Sequence, residues 1–390
     1  MSSLPINPGQ QPRDAATSEE LPDVEGMETL CLFPLRLLTL ARALGLAVRQ
    51  WQRISSLVAR VVLSRRETPY RRLKVLVHTW LGAYYAILLQ KRGVDHVHVH
   101  HGYFGSWVGM VAARLLDRSF SLTLHGSDLL LHGSSLDTKL SSCSFCLTIS
   151  EFNRRHILDH FTEIDPRKII VSRLGVDTRL PKALRQNRSK ITQRKLTLLA
   201  VGRLHAVKDH AFLVRACARL RECGLDFECL IAGEGPERDA LESLIRQKRL
   251  QERILLLGHV AREKMDSLYR RADLVVLTSR SEGVPLVLME AMARSLVVVA
   301  PTITGIPELV IPGKTGFLYR PCDLEDFVRR ILFLHILLRE KDHPVMSRLN
   351  WIRHAARVQV STNYSREKNL NRFGDLFVHM IAPNDGSPAQ

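Results

Sequence analysis

An alternation of strand-like and helix-like segments from residue 94 onward constrains the fold of this chain more than any other feature. The strand-like segments are residues 95–101, 119–124, 145–149 and 168–171, and the helix-like segments are 107–116 and 151–159. Strands that alternate with helices are typical of a parallel sheet with helices packed on both faces. The pattern therefore predicts an α/β fold.

A second series of the same kind begins at residue 196. Its strand-like segments are 196–201, 227–232, 254–257, 274–277 and 297–299, and its helix-like segments are 209–223, 236–248, 264–270 and the segment that contains Glu290. A chain of 390 residues is long enough for two domains with their own cores. We predict two parallel-sheet domains that face a cleft, with ligands at the carboxyl ends of the strands.

The segments outside the two series complete the predicted organisation. An acidic stretch over residues 1–28 has no apolar core of a signal peptide and is expected to be a disordered leader. The predicted N-terminal domain is 29–182 and starts with basic helices, a linker follows at 183–195, and the C-terminal domain is 196–360. We expect a C-terminal helix at 361–380 that crosses back to the N-terminal domain, and a disordered tail at 381–390.

The net charge of +17 and the pI of about 9.9 indicate an anionic partner. Between residues 36 and 74 ten Arg or Lys stand against one acid, Glu67, among Leu, Val and Trp51. This pattern favours contact with an anionic membrane surface over a solvated helical face. Stacking aromatics are limited to Trp51 and Tyr70 there, so nucleic acid is not an expected partner.

Two other features bear on location. The longest chargeless run, residues 75–90, is too short to span a bilayer and predicts a buried helix. Seven scattered cysteines fit a reducing compartment, and the pair Cys143 and Cys146 has no second pair to form a zinc site. We expect a cytoplasmic protein that is peripheral on the inner face of the plasma membrane.

Cationic side chains follow the first strand of the second series. Arg203 and Lys208 lie between that strand and the next helix, where a phosphate would meet positive side chains and a helix N-terminus. The stretch from Gly233 to Arg238 lacks the third glycine of a dinucleotide fingerprint, and Gly313 to Thr315 lacks the first glycine of a P-loop. The loop is consistent with a diphosphate held without metal; the alternative is that Arg203 and Lys208 are ordinary surface residues.

Two carboxylates, Glu282 and Glu290, stand eight positions apart in an apolar run. Glu282 precedes a predicted helix, in a loop with Gly283 and Pro285, and Glu290 lies one turn inside that helix. Carboxylates are poor partners for phosphate but accept hydrogen bonds from sugar hydroxyls and from a vicinal diol. They suit a nucleotide diphosphate sugar; the alternative is a buried salt bridge and a helix-start acid.

The motifs as a set resemble the family 4 glycosyltransferases of the GT-B fold. The resemblance covers roughly residues 90–380 and is carried by Gly202-Arg-Leu with Lys208, 232–236, 257–258, 272–273, 279–293, 305–309, 313–317, 95–101, 125–128, 149–152 and 174–177. It implies a donor-binding C-terminal domain and an acceptor-side N-terminal domain. The family's first strand and its glycine-containing loop have no match here, so the N-terminal sheet is expected to lack them.

The resemblance also implies roles for individual residues. Arg203 and Lys208 would bind the donor diphosphate, Glu290 the ribose, and the backbone at Gly258 and Val260 the base. Further roles are carried over in the same way: His125 and Glu282 as catalytic residues, Glu282, Gly283, Val284, Pro285 and Leu286 around the donor sugar, and His100, His101 and Asp128 as acceptor-side candidates.

The resemblance implies retention of anomeric configuration without a metal or other cofactor, and the chain has no Asp-x-Asp. The expected reaction is hexose transfer to a glycan or lipid-linked acceptor in the synthesis of a cell-surface polysaccharide, exopolysaccharide or lipopolysaccharide. Because the usual N-terminal loop is missing, a non-catalytic subunit that binds nucleotide sugar or acts as a scaffold is the alternative. His96, His98 and His100 share one strand face, where burial is favoured over a metal site.

Overall fold

The computed structural model describes residues 35–63, 68–130, 135–179, 195–339 and 343–381. The predicted acidic leader, almost all of the predicted linker and almost all of the predicted tail lie outside these residues. Two compact units divide the chain: residues 1–124 with 132–146, and residues 125–131 with 147–390. The domain boundaries predicted from the sequence differ from this partition and stay a prediction.

Three helices open the described chain: α1 Leu37–Arg49, α2 Trp51–Val62 and α3 Pro69–Gln90. α3 begins where the Thr68 side chain accepts a hydrogen bond from the Arg71 N–H, with Pro69 at the first helical position. The chargeless run 75–90 lies in α3, and Ala83 and Ala86 there are fully buried. The prediction of a buried helix is confirmed for residues 81–89, whereas Leu76, Val77 and Trp80 are exposed.

The first sheet has four strands in the order β1-β2-β3-β4. They are β1 His96–His100, β2 Ser119–Leu124, β3 Phe145–Thr148 and β4 Ile169–Val171, with helices α4 Phe104–Leu116, α5 Ser127–Leu130, α6 Leu136–Ser142 and α7 Glu151–His160. Among the described residues no strand precedes β1, as expected from the missing family N-terminus. The short helix α5 begins at Ser127, inside the motif at 125–128.

Side chains on β1 and β2 form a ladder of hydrogen bonds. The two strands pair in parallel with His96 opposite Ser119. The His96 ring contacts the hydroxyls of Ser119 and Ser121, both at 2.6 Å, and the His98 ring contacts Ser121 at 2.7 Å and Thr123 at 2.8 Å. Hydroxyl partners at both ring nitrogens account for these half-buried histidines without a metal ion.

The second sheet has six parallel strands in the order β10-β9-β8-β5-β6-β7. The strands are β5 Leu196–Val201, β6 Phe227–Ala232, β7 Ile254–Gly258, β8 Leu274–Val276, β9 Val297–Pro301 and β10 Phe317–Tyr319. Leu198 on β5 belongs to one buried apolar cluster and its neighbour Leu199 to another. Because successive side chains of a strand point to opposite faces, both faces of this sheet are covered.

Helices complete the second sheet. They are α8 His210–Glu222, α9 Arg238–Gln247, α10 Arg262–Arg271, α11 Leu286–Ala293, α12 Ile306–Leu309, α13 Leu324–Arg339, α14 His343–Asn363 and α15 Arg366–Ile381. The start of α15 is held against residues 174–179: the Val176 N–H donates to the Tyr364 carbonyl at 2.9 Å, and the Asn369 side chain donates to the Leu174 carbonyl at 3.0 Å.

We expect the substitution Phe327→Ala to lower the free energy of unfolding by about 3–5 kcal/mol, because it leaves a cavity in a packed core. Phe327 is fully buried on α13, with ring centroids 5.7 Å from Phe212 and 5.0 Å from Tyr319. The matched control is Phe333→Ala on the same helix, where the side chain is 49% exposed. Urea unfolding of both variants tests this, and equal losses would contradict it.

Candidate active site

The order of strands in the second sheet determines where its loops meet. The chain lays down β5, β6 and β7 to one side, then returns to the other side of β5 for β8, β9 and β10. At such a reversal the loops that leave the two central strands, β5 and β8, turn apart and open a crevice at their carboxyl ends. Arg203 and Lys208 follow β5, and Glu282 follows β8, so the predicted donor residues lie at this point.

Lys208 and Glu282 form an ion pair at the reversal. The Lys208 Nζ lies 2.5 Å from the Glu282 Oε1, and the two side chains are only 22% and 11% exposed. The Ser279 hydroxyl donates to the same Glu282 oxygen, also at 2.5 Å. The cation predicted to bind phosphate and the carboxylate predicted to bind sugar are therefore in direct contact, although they are 74 positions apart in the sequence.

The backbone on both sides of this ion pair is held in place. Asp209 has a left-handed backbone, with φ of 46°, and its carboxylate accepts from the Phe212 N–H at the start of α8. The same carboxylate accepts from the Arg280 Nε at 2.7 Å, and the Thr278 hydroxyl donates to the Lys208 carbonyl at 3.0 Å. These bonds tie the loop after β5 to the loop after β8.

Arg203 follows Gly202 and is exposed to solvent. The turn after β6 lies directly beside it, because a Cβ atom on Gly233 would stand 1.9 Å from the Gly202 carbonyl oxygen. Gly233 also donates its N–H to the Gly258 carbonyl at 2.8 Å, and Gly258 has a φ of 71°. The loops after β5, β6 and β7 therefore lie close together, and they carry the residues predicted to bind the diphosphate and the base. Val260, two residues after Gly258, is half-buried.

The predicted sugar cradle approaches His125 closely. A Cβ atom on Gly283 would lie 2.4 Å from the His125 carbonyl oxygen, so only glycine fits there. Val284 and Pro285 are buried, and Leu286, the first residue of α11, is 46% exposed. The structure thus places His125 beside the cradle.

Asp128, the acceptor-side candidate in the loop after β2, is bound by the backbone of its own loop. Its carboxylate is fully buried and accepts from the N–H groups of His125, at 3.0 Å, and Gly126, at 2.8 Å. A carboxylate in this geometry fixes the loop that carries His125. The acceptor-side role stays a prediction, and in this conformation Asp128 offers an acceptor no exposed surface.

The other acceptor-side candidates belong to the first compact unit. His100 ends β1, and burial, followed by the nearby His101, lowers the pKa of its imidazole. His101 has a φ of 73° and stacks on Tyr103 with ring centroids 5.8 Å apart. Both lie at the carboxyl end of β1, as predicted.

Glu290 lies on α11, one turn inside the helix as predicted, and is half-buried. Its Oε2 accepts a hydrogen bond of 2.6 Å from the Tyr269 hydroxyl. Tyr269 was not among the predicted site residues. It is the one tyrosine on a mostly charged helix, α10, and nothing in the spacing indicates that it meets a residue 21 positions later on another helix.

A third carboxylate, Glu308 on α12, binds the start of α7. Its Oε1 accepts from the Phe152 N–H at 2.6 Å and its Oε2 from the Glu151 N–H at 3.0 Å. These are the first amides of the helix, where a negative charge is stabilised by the helix dipole. The amides of this helix end are therefore engaged by the protein's own carboxylate.

The described ranges contain neither a cluster of metal-ligating side chains nor a helix that could span a membrane. No group of three or more His, Cys, Asp or Glu side chains there could hold a metal ion. None of the helices in those ranges is both long enough and apolar enough to cross a bilayer. Cys143 and Cys146 are both buried.

Comparison with known families decides the class of protein. Residues 182–344 match the model named Glycosyl transferases group 1, and residues 35–180 match the model named Glycosyltransferase Family 4. The chain belongs to the family 4 glycosyltransferases. The family 4 assignment confirms the resemblance noted in the sequence motifs.

Two curated relatives match about two fifths of this chain. The chain is 33% identical over 159 residues to alpha-D-kanosaminyltransferase of Streptomyces kanamyceticus. This match covers 40% of this chain and 41% of that protein. It is 36% identical over 174 residues to WcaL of Salmonella typhimurium, named for colanic acid biosynthesis, with 43% and 42% covered. The matched part is thus about two fifths of the length of these curated relatives.

Solved structures share the fold. A glycosyltransferase from Rickettsia africae superposes with a TM-score of 0.65 at 22% identity, over 82% of this chain and 84% of that one. The Anabaena protein HepE in complex with UDP gives a TM-score of 0.63 at 20% identity, over 76% and 82%. These neighbours show the GT-B fold for this family 4 chain.

Proposed function

We propose that this family 4 glycosyltransferase transfers a hexose from a nucleotide diphosphate sugar to a glycan or lipid-linked acceptor, with retention of anomeric configuration. The observation that carries the proposal is the ion pair of Lys208 and Glu282 at the strand reversal of the second sheet. A cation for the diphosphate and a carboxylate for the sugar hydroxyls lie where ligands of such sheets bind. The relative named for colanic acid biosynthesis supports a role in cell-surface polysaccharide synthesis.

The positive charges of Lys208 and Arg203 suit the negative charge of the donor diphosphate. Departure of the nucleoside diphosphate leaves negative charge on its terminal phosphate, which fixed cations stabilise more strongly away from bulk water. Lys208 is mostly buried and Arg203 is exposed at the rim. Lys208 is therefore suited to the phosphate nearest the sugar, and Arg203 to gathering the anion from solvent.

Glu290 is proposed to accept hydrogen bonds from the two ribose hydroxyls of the donor, and His125 to contact the donor sugar. The UDP in the complex of HepE supports a nucleotide ligand for this fold. The base in this chain is proposed to lie against Gly258 and Val260, whose loop follows β7.

The N-terminal helices are proposed to hold the protein on an anionic membrane surface at the cytoplasmic side. α1 and the first half of α3 expose large apolar side chains, namely Leu37, Leu38, Leu44, Val48, Tyr70, Leu73 and Val77. The two helices are neighbours, since the Trp80 Nε1 donates to the Leu40 carbonyl at 3.2 Å. Exposed apolar groups beside arginines combine shallow insertion with attraction to headgroups.

The N-terminal helices also pack onto the protein, through α2. Ile54 and Leu57 of α2 are buried, and so are Val58 and Val61. These helices can pack on the protein with one face and expose apolar side chains on another. The membrane proposal therefore rests only on the exposed side chains of α1 and α3.

The substitution Glu290→Gln is expected to weaken binding of the donor nucleotide by about 1.5–3 kcal/mol, because it removes charge-assisted hydrogen bonds to ribose. A thermal-shift panel of UDP, GDP and ADP sugars selects the donor, since a ligand of the folded state raises the apparent stability. Calorimetry with the nucleoside diphosphate of that donor then compares the variant with Glu252→Gln, which alters an exposed carboxylate elsewhere. Unchanged affinity in Glu290→Gln would refute the ribose assignment.

Sugar transfer is expected to survive EDTA, because Lys208 and Arg203 supply the positive charge that a divalent ion supplies in other enzymes. The measurement is release of nucleoside diphosphate from the selected donor in the presence of a lipid-linked oligosaccharide fraction. Activity lost on chelation and restored by magnesium or manganese would contradict the charge assignment. Tight donor binding with no transfer to any acceptor fraction would favour the non-catalytic alternative.

Flotation with liposomes tests the membrane proposal. Binding is expected with vesicles that contain phosphatidylserine, and it should weaken in 1 M salt, where the Debye length falls to about 3 Å. The double variant Arg42→Glu and Arg71→Glu should bind at least about 2 kcal/mol more weakly, at roughly 1 kcal/mol for each cation lost. The control pair Arg246→Glu and Arg372→Glu makes the same change in net charge on other exposed helices. Equal weakening by both pairs, or equal binding to neutral vesicles, would refute this anchor.

A further inference from the structure

Four side chains join α10 to α11 around Glu290. The Tyr269 hydroxyl donates to the Glu290 Oε2 at 2.6 Å. Arg294, just after α11, donates from Nη1 to the Glu290 carbonyl at 3.0 Å and from Nε to the Asp266 Oδ1 at 2.9 Å. Its guanidinium also lies over the Tyr269 ring, 4.7 Å from the centroid.

We propose that Tyr269 is a positioning residue for the nucleotide: its hydroxyl fixes the Glu290 carboxylate in the orientation that accepts the vicinal diol of the donor ribose. The proposal deepens the proposed function and rests on it, because it requires that Glu290 bind ribose. Tyr269 itself is not expected to touch the donor.

The hydrogen bond from Tyr269 leaves Glu290 the capacity it needs. An ionised carboxylate offers about four lone-pair positions on its two oxygens, and the tyrosine uses one on Oε2. A vicinal diol needs two more. Without a partner, the Glu290 side chain would lose rotamer entropy when it binds the ribose. The hydrogen bond from Tyr269 fixes one rotamer before the donor binds, so this loss no longer weakens binding.

The tyrosine is itself held rigidly as a donor. Its side chain is 1% exposed, and burial, followed by the charge of Glu290, raises the pKa of the phenol. The hydroxyl therefore stays protonated, and a hydrogen-bond donor, at neutral pH. The guanidinium of Arg294 covers one face of the ring and is fixed by Asp266, so the ring has a single position against α11.

The variant Tyr269→Phe tests the proposal, because it removes the hydroxyl and keeps the ring. Calorimetry is done with UDP, GDP and ADP, each beside its 2′,3′-dideoxy counterpart, which lacks the diol. The unsubstituted protein should prefer the ribonucleotide of its own base. In Tyr269→Phe the affinity for that ribonucleotide should fall roughly three- to tenfold, the range for one hydrogen bond, while the dideoxy affinity stays the same.

The other outcomes separate the possible failures. Equal loss for the ribonucleotide and its dideoxy counterpart means that Tyr269 only supports the helix pair, and unchanged ribonucleotide affinity means that Glu290 needs no support; each overturns the proposal alone. If the unsubstituted protein does not distinguish the two ligands, the ribose assignment of Glu290 fails, and this proposal with it. Retained dideoxy binding shows that the variant is folded.

A second measurement does not depend on the size of the effect. In the background of Glu290→Gln, the change Tyr269→Phe should have almost no further effect on ribonucleotide affinity, because the two residues act as one unit. Tyr70→Phe, at an exposed tyrosine of α3, is the matched control and should change neither ligand's affinity. Additive losses from Tyr269→Phe and Glu290→Gln would overturn the proposal.

Discussion

The return of the chain from β7 to the far side of β5 is the constraint on which the candidate site depends. Because β8 is laid down next to β5, the loop with Lys208 and the loop with Glu282 must start from adjacent strand ends. The ion pair between them is a consequence of this strand order. Once these two loops are fixed, α11 starts at Leu286 and carries Glu290 to the same end of the sheet.

Much of this arrangement could be predicted because it depends on local patterns. Apolar periodicity located β5 to β9 and the helices α8 to α11, but not the short strand β10 or the helices α12 to α14. A loop between a strand and a helix indicated where Arg203 and Lys208 would be. Glu290 was expected one turn inside a helix because Gly283 and Pro285 mark where that helix can start. In each case the information lies within about ten residues of the side chain concerned.

What could not be predicted depends on which elements pack together. Tyr269 meets Glu290 only because α10 lies against α11, and Glu308 meets the first amides of α7 across 156 positions of sequence. Asp128 was interpreted from its place in a motif, whereas its carboxylate accepts hydrogen bonds from the backbone N–H groups of His125 and Gly126. No spacing rule specifies the partners of Glu290 and Glu308, since these follow from the way the helices pack.

The histidine ladder on the first sheet has a direction. A neutral imidazole donates from one nitrogen and accepts at the other, and a hydroxyl has a single proton to donate. Along Ser119, His96, Ser121, His98 and Thr123, the hydroxyl of Ser121 contacts both rings. If Ser121 gives its proton to one ring and accepts from the other, every bond in the row points the same way. The tautomers of His96 and His98 are then coupled, so the row has two states of opposite polarity, and reversing one ring requires reversing them all.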